Sequence, residues 1–225
     1  MTVKSVPMIN QGHLSPKTKP KNMQDSLTIA VLAGTTRVQR ESIKAAQYVA
    51  DYGRKIKGIE IIFVDPKDFN FPGDGNDPEG KDPRYTEITA KADAFFIVTP
   101  EYNHSFPGSL KRMLDSELKN YIHKPVAIAG ASSGGWGGVR AVESLVPVVR
   151  EMGLAATFSN VYFPRVQDLF DAQGHLKPEH VEQYAMNMHN AYRELLWLAS
   201  ALKWGRQNLE QRELLAKVPE NSPIT

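Results

Sequence analysis

An uninterrupted apolar run, Ala94 to Val98, passes directly into the polar, turn-prone stretch Thr99-Pro100-Glu101-Tyr102-Asn103-His104-Ser105-Phe106-Pro107-Gly108. A short run that is apolar throughout reads as a strand buried on both faces. Beyond the stretch, Leu110, Met113, Leu114 and Leu118 recur at a spacing that puts them on one helical face. Pro107 suits the first turn of that helix, where a missing N–H is no loss. A buried strand feeding a loop and then a helix is the unit of open α/β sheets, and such sheets bind ligands along the carboxyl ends of their strands. This loop offers amide, imidazole and hydroxyl groups together with the flat faces of Tyr102 and Phe106, which suits a planar ligand that is both stacked and hydrogen-bonded.

The same alternation repeats along the chain. Leu27 to Ala33 is a first buried strand, and Ile43, Ala46, Val49 and Ala50 face inward on the helix after it, which stops near Gly53. Ile59 to Val64 is a second strand. Asp65 to Arg84 is crowded with Asp, Pro and Gly and reads as a long loop, either a lid, a subunit contact or a plain insertion. A short helix spans Tyr85 to Ala92. Pro125 to Ala131 is a fourth strand, and Val139 to Met152 a helix that Pro147 should bend. Leu154 to Phe163 is a fifth strand candidate. From Pro178 onward Val181, Tyr184, Ala185, Met188, Tyr192, Leu195, Leu198, Ala199 and Leu202 form a broad apolar stripe on a long helix. Strands alternating with helices specify a parallel sheet with helices on both faces.

At 225 residues with 41% hydrophobic content, the chain can bury one good core. A net charge of +2 gives no broad field for nucleic acid or membrane, and no apolar run reaches membrane-spanning length. Residues 1–25 carry Lys4, Lys17, Lys19 and Lys21 against Asp25 alone, lack periodicity and read as a disordered basic tail. The organisation expected is that tail, one domain over 26–218 and a disordered C-terminus over 219–225. The absence of cysteine removes disulfides, thiolate metal sites and thiol redox chemistry. The histidines do not cluster with carboxylates at metal spacing, so no metal site is expected. With no secretory signal in view, the chain reads as a soluble, cytoplasmic protein.

If the first, third and fourth strands lie side by side, three loops meet at one sheet edge. Gly34 to Ser42 has the parts of an anion cradle: a glycine turn, hydroxyls, Arg37 able to fork onto a phosphate and the free N–H groups of a helix start. It is neither a Walker loop nor a GxGxxG turn, and capping of the helix by its hydroxyls is the competing reading. Ser132-Ser133-Gly134-Gly135-Trp136-Gly137-Gly138 frees backbone to approach a ligand closely. A phosphate loop, an aromatic-and-amide loop and a glycine loop together suit a mononucleotide with a planar ring, such as flavin mononucleotide (FMN).

These three stretches, Gly34-Thr35-Thr36-Arg37 with Arg40 and Ser42, Thr99 to Lys111, and Ser132 to Gly138, resemble the NADPH-dependent FMN reductases, in order and spacing, from residue 26 to about 160. The resemblance implies a flavodoxin-like three-layer sandwich whose five-stranded parallel sheet has the order 2-1-3-4-5. It implies that Thr35, Arg37 and Ser42 hold the FMN phosphate, that Pro100, Glu101, Tyr102 and Asn103 line the isoalloxazine, and that Ser133, Gly134, Gly135 and Trp136 meet its pyrimidine edge. The activity implied is transfer of two electrons from NADPH or NADH, through FMN, to a flat small-molecule acceptor such as a quinone, free flavin or azo compound. The cofactor carries that chemistry, so no catalytic side chain is nominated. A homodimer or homotetramer is also implied, with the helix after Pro107 as candidate contact. The alternative is an FMN-binding electron carrier or interaction protein that does not itself oxidise NAD(P)H.

Overall fold

The computed structural model describes residues 26–73, 75 and 77–209; the basic tail and the C-terminal segment expected from the sequence lie outside them. Six strands form one parallel sheet: β1 (Leu27–Ala33), β2 (Ile59–Val64), β3 (Ala94–Pro100), β4 (Lys124–Ala131), β5 (Leu154–Ala156) and β6 (Val161–Phe163). The order is β2-β1-β3-β4-β5, with β6 also beside β4. Around it pack α1 (Ser42–Arg54), α2 (Pro83–Lys91), α3 (Gly108–Asp115), α4 (Val139–Glu151), the single turn α5 (Val166–Leu169) and the long α6 (Val181–Asn208). This is the flavodoxin-like arrangement.

Period-two alternation sorts the strand residues between two cores. Ile29, Val31, Phe96 and Val98 face α1 and α6, where Ala46, Val49, Met188, Tyr192 and Leu195 complete the packing. Ala30, Leu32, Phe95 and Ile97 face the other way, onto Tyr85, Leu110, Met113, Leu114, Val142 and Leu145 of α2, α3 and α4. β3 and β4 are buried along their whole length, as central strands covered on both faces must be.

The expected fifth strand is broken in two. Leu154–Ala156 pairs with Lys124–Val126 and Val161–Phe163 with Ala129–Ala131, so both pieces run along the same side of β4. Between them the chain leaves the sheet, and the Glu194 carboxylate on α6 accepts the backbone N–H groups of Phe158 and Ser159, at 2.5 and 2.8 Å. A side chain replaces ladder partners that the interrupted strand cannot supply. Other departures are smaller. The 65–84 connection contains two 3-10 turns, Pro66–Asp68 and Pro78–Gly80, and α2 starts at Pro83, capped by Asp82. α4 continues through Pro147. α3 ends before Leu118, which is exposed, and its Leu110, Met113 and Leu114 are wholly buried within the chain, so its apolar face is not available to a partner subunit. Trp197 and Trp204 lie outside the core.

Candidate active site

The parallel register sets the carboxyl ends of β1, β3, β4 and β6 at one edge. Chain crossings there are close. Gly34 lies so tightly against β3 that a Cβ would sit 2.8 Å from the Val98 carbonyl oxygen and 2.9 Å from Thr99 Cα. Its N–H donates to that same carbonyl at 2.8 Å. Glycine is therefore required for the first loop to leave β1 hugging its neighbour.

Beyond Gly34 the first loop is held by its own side chains. The buried Thr35 hydroxyl accepts the Arg37 N–H at 3.2 Å and meets the Tyr102 hydroxyl of the third-strand loop at 3.1 Å. The Arg37 guanidinium lies 5.7 Å from the Tyr102 ring centre and forms no ion pair among the described residues. Arg40 instead turns inward, donating to the Thr35 carbonyl and, in a fork, to both carboxylate oxygens of Asp65 at the end of β2. Burial raises the Asp65 pKa, but the Arg40 fork, the Lys67 N–H and the two nearby cations outweigh it and hold the carboxyl below its usual range. Arg40 thus braces the loop, and Arg37 remains its outward-facing cation.

The third-strand loop is a tight hairpin. Tyr102 and Ser105 exchange both backbone hydrogen bonds, at 2.8 and 3.0 Å, around Asn103 and His104, which both have positive φ. That is the two-residue turn in which asparagine is favoured, and it presents Tyr102 at the cleft. Glu101 is anchored by its N–H to the Ala131 carbonyl, 2.9 Å away. One of its carboxylate oxygens receives Arg140 of α4 at 2.7 Å; the other is buried and has no hydrogen-bond partner among the described residues.

The glycine loop divides into two halves. A Cβ on Gly138 would lie 2.5 Å from Ala131 N, and one on Gly137 2.8 Å from Tyr162 Cβ; both residues have positive φ. These two are structural. Gly134 and Gly135 have ordinary φ and nothing within 4 Å of a notional Cβ, so no contact among the described residues demands glycine there. The segment after β6 props this loop: Ser132 and Val166 exchange with the turn through Ser132 N to Phe163 O and Val166 N to Ser132 O, while Arg165 N donates to the Gly134 carbonyl at 3.0 Å.

Together the loops enclose a cleft of about 290 Å³. Of the residues expected at the site, Arg37, Ser42, Pro100, Glu101, Tyr102 and Ser133 line it. Thr35 is buried and reaches the cleft only through its contact with Tyr102, Asn103 forms the turn, and Gly134, Gly135 and the largely exposed Trp136 are not among the residues lining it. Gln39, Glu41, Ser132, Val166 and Gln167 line it unforeseen. The last two open α5, just past the carboxyl end of the final strand, and the rule that ligands gather at strand carboxyl ends would have pointed there.

The family model for NADPH-dependent FMN reductase matches residues 27–168. An NADPH azoreductase of Bacillus sp. strain OY1-2 is 29% identical over 137 residues, covering 60% of this chain and 72% of the relative. An NAD(P)H-dependent FMN reductase of Pseudomonas aeruginosa is 36% identical over 98 residues, covering 41% of this chain and 53% of the relative. The match to a quinone reductase of Pseudomonas putida spans 66% of it, so the chain aligns with only part of these relatives' lengths. In fold, the chain is similar to FerB, a flavoenzyme NAD(P)H:(acceptor) oxidoreductase from Paracoccus denitrificans, with a TM-score of 0.62 at 20% identity over 77% of this chain and 98% of that one. The chain belongs to the family of NADPH-dependent FMN reductases, which take FMN as cofactor and NAD(P)H as electron donor.

Proposed function

We propose that the chain is an FMN-dependent NAD(P)H oxidoreductase that delivers two electrons to a flat acceptor of the quinone or azo class. The observation that carries this reading is the convergence of Arg37, Tyr102, Glu101 and Ser133 on one cleft. Two further features suit a bound flavin nucleotide. Glu101 keeps a buried acceptor oxygen that no donor among the described residues satisfies, and an unmet buried acceptor is costly unless a ligand meets it. Gly134 and Gly135 leave open space that nothing among the described residues uses.

In this reading Arg37 and Ser42 hold the phosphate, and Thr35 shapes the loop that aims them. Pro100, Glu101, Tyr102 and Asn103 line the ring, and Ser133, Gly134, Gly135 and Trp136 border its pyrimidine edge. Bound FMN supplies hydride acceptance from the nicotinamide and electron delivery to the second substrate. The chain's own contribution is binding, orientation and charge control. Arg140 neutralises the carboxylate of Glu101, so a negative group beside the ring does not oppose electrons arriving there. Self-association belongs to the same proposal, with Trp136 at the rim of the cleft as the exposed apolar contact; it predicts a sedimentation mass at least twice 25.1 kDa.

The test uses the full chain. After incubation with FMN and removal of free flavin, it should be yellow and should oxidise NADPH or NADH when a quinone is supplied. A chain that emerges colourless overturns the reading.

A further inference from the structure

The long connection after β2 builds a second cavity beside the first. Phe69 and Phe71 stack with ring centres 6.1 Å apart and an interplanar angle of 18°, and both meet the edge of the buried Tyr85. This aromatic wall is firmly braced. Asp82 caps α2 and accepts the Asn70 N–H at 2.9 Å; Arg84 pairs with Asp82, donates to the Asp68 carbonyl at 2.6 Å and lies 5.0 Å from the Phe69 ring centre. The Arg84 bonds hold the Asp82 carboxyl down at about 2, so this bracing is intact at any physiological pH. Facing the wall across a cavity of about 580 Å³ are Thr36 of the first loop and Gly108, Ser109, Lys111, Arg112 and Asp115 of α3. Thr36 lines this cavity and its neighbour Arg37 lines the first cleft, so consecutive residues of one loop border both spaces.

We propose that this second cavity receives the adenosine end of the nicotinamide dinucleotide, and that Lys111 reads its 2′-phosphate. The inference rests on the flavin reading above, since it assumes that the nicotinamide end is delivered to the adjoining cleft. A dinucleotide whose nicotinamide end reaches the first cleft, itself only about 290 Å³, must lodge its adenosine end outside that cleft. Its far half needs a flat apolar surface for the base and hydrogen-bonding or cationic groups for the phosphates. The Phe69–Phe71 wall supplies the first, and Thr36, Ser109 and Lys111 supply the second. The volume lies within the range of nucleotide pockets. Lys111 carries Asp115 as its present partner, 2.5 Å away. A phosphate dianion competes for the same ammonium group, and Asp115 sets how strongly the cavity favours it.

The test is equilibrium binding to the FMN-loaded full chain, followed by calorimetry, with adenosine 2′,5′-bisphosphate and adenosine 5′-monophosphate as probes. The bisphosphate should bind about tenfold more tightly than the monophosphate, the size of one charge-assisted hydrogen bond. Lys111→Gln should abolish that preference, and Asp115→Asn should increase it, both with unchanged flavin spectrum and flavin affinity. Equal binding of the two probes, displacement of FMN by the bisphosphate, or a Lys111→Gln chain that keeps the preference overturns the proposal. A chain that never takes up FMN overturns the flavin reading instead, and the calorimetry is then not reached.

Discussion

The hydroxyl of Thr35 and the hydroxyl of Tyr102 stand 3.1 Å apart, joining the loop that follows β1 to the loop that follows β3. The contact couples the residues proposed to meet the phosphate to those proposed to meet the ring, so its loss should loosen the grip on FMN more than it weakens the fold. Tyr102→Phe removes one hydrogen bond of about 1 kcal/mol. Flavin affinity should fall about three- to tenfold by fluorescence titration. Thr35→Val should cost more, because the same hydroxyl also accepts the Arg37 N–H, and the double variant should be no worse than Thr35→Val alone, because the link to Tyr102 is already gone in it. Fully additive losses would show that the two hydroxyls act separately.

Arg40 and Asp65 make a different kind of link. The pair is mostly buried, with side-chain exposures of 8% and 17%, and Arg40 also satisfies the Thr35 carbonyl. Removing one partner leaves a buried charge unmatched, an effect on the order of 3 kcal/mol. Asp65→Ala should therefore lower the unfolding free energy by about that amount in a denaturant melt, whereas Arg40→Met with Asp65→Leu should recover much of it. A neutral Asp65→Ala would mean that water reaches the guanidinium and that the loop is held by other contacts.

Why some of this was legible in the sequence and some was not comes down to range. β1, β3 and β4 announce themselves because both their faces are buried, leaving only a single polar residue near one end of each apolar run. The loops after them carry glycine, hydroxyl and amide residues whose backbone needs are local. Gly34 and Gly138 lie where a Cβ has no room, and Asn103 lies where positive φ is needed. The break in the fifth strand is hidden because the group that satisfies its free N–H groups is 36 and 35 residues away, the Glu194 carboxylate that accepts from Phe158 and Ser159. The Arg40–Asp65 fork and the Glu101–Arg140 pair are hidden for the same reason: nothing near either residue in the chain marks its partner. Trp136, which the resemblance implies meets the pyrimidine edge, has its side chain mostly in solvent in the chain alone, an exposure that the sequence did not mark.

The two halves of the glycine loop give opposite expectations for one chemical change. Gly138 has φ +86° and would place a Cβ 2.5 Å from backbone, so Gly138→Ala must both strain φ and shift β4. Its cost should reach about 2–3 kcal/mol. Gly135→Ala meets nothing in the chain and should leave thermal stability unchanged, while the added methyl enters space assigned to the flavin edge and weakens FMN binding. Paired melts with and without FMN separate the two effects. If Gly135→Ala instead destabilised the flavin-free chain and left affinity alone, the open space would have a structural use unconnected with a ligand.

At the far end of the sheet from the cleft, Lys124 is buried and donates to the carbonyls of Thr89 and Ala90 at 2.7 and 3.2 Å. Burial, helped by repulsion from Arg206 and opposed by Asp93, depresses its pKa from 10.5 to about 8. A neutral amine still donates to both carbonyls, so deprotonation relieves the burial penalty without losing either bond. The unfolded chain keeps the proton up to about pH 10.5 and the folded chain releases it near pH 8. Across that window the unfolded state binds more protons, and stability contributed by Lys124 must rise with pH, staying level below pH 8. Lys124→Met removes the titration. The difference in unfolding free energy between the original chain and this variant should shift in favour of the original chain from pH 8 to pH 10, measured at fixed ionic strength. A difference that stays flat over that range would show that Lys124 is ionised in the folded protein throughout, with water or Asp93 stabilising its charge.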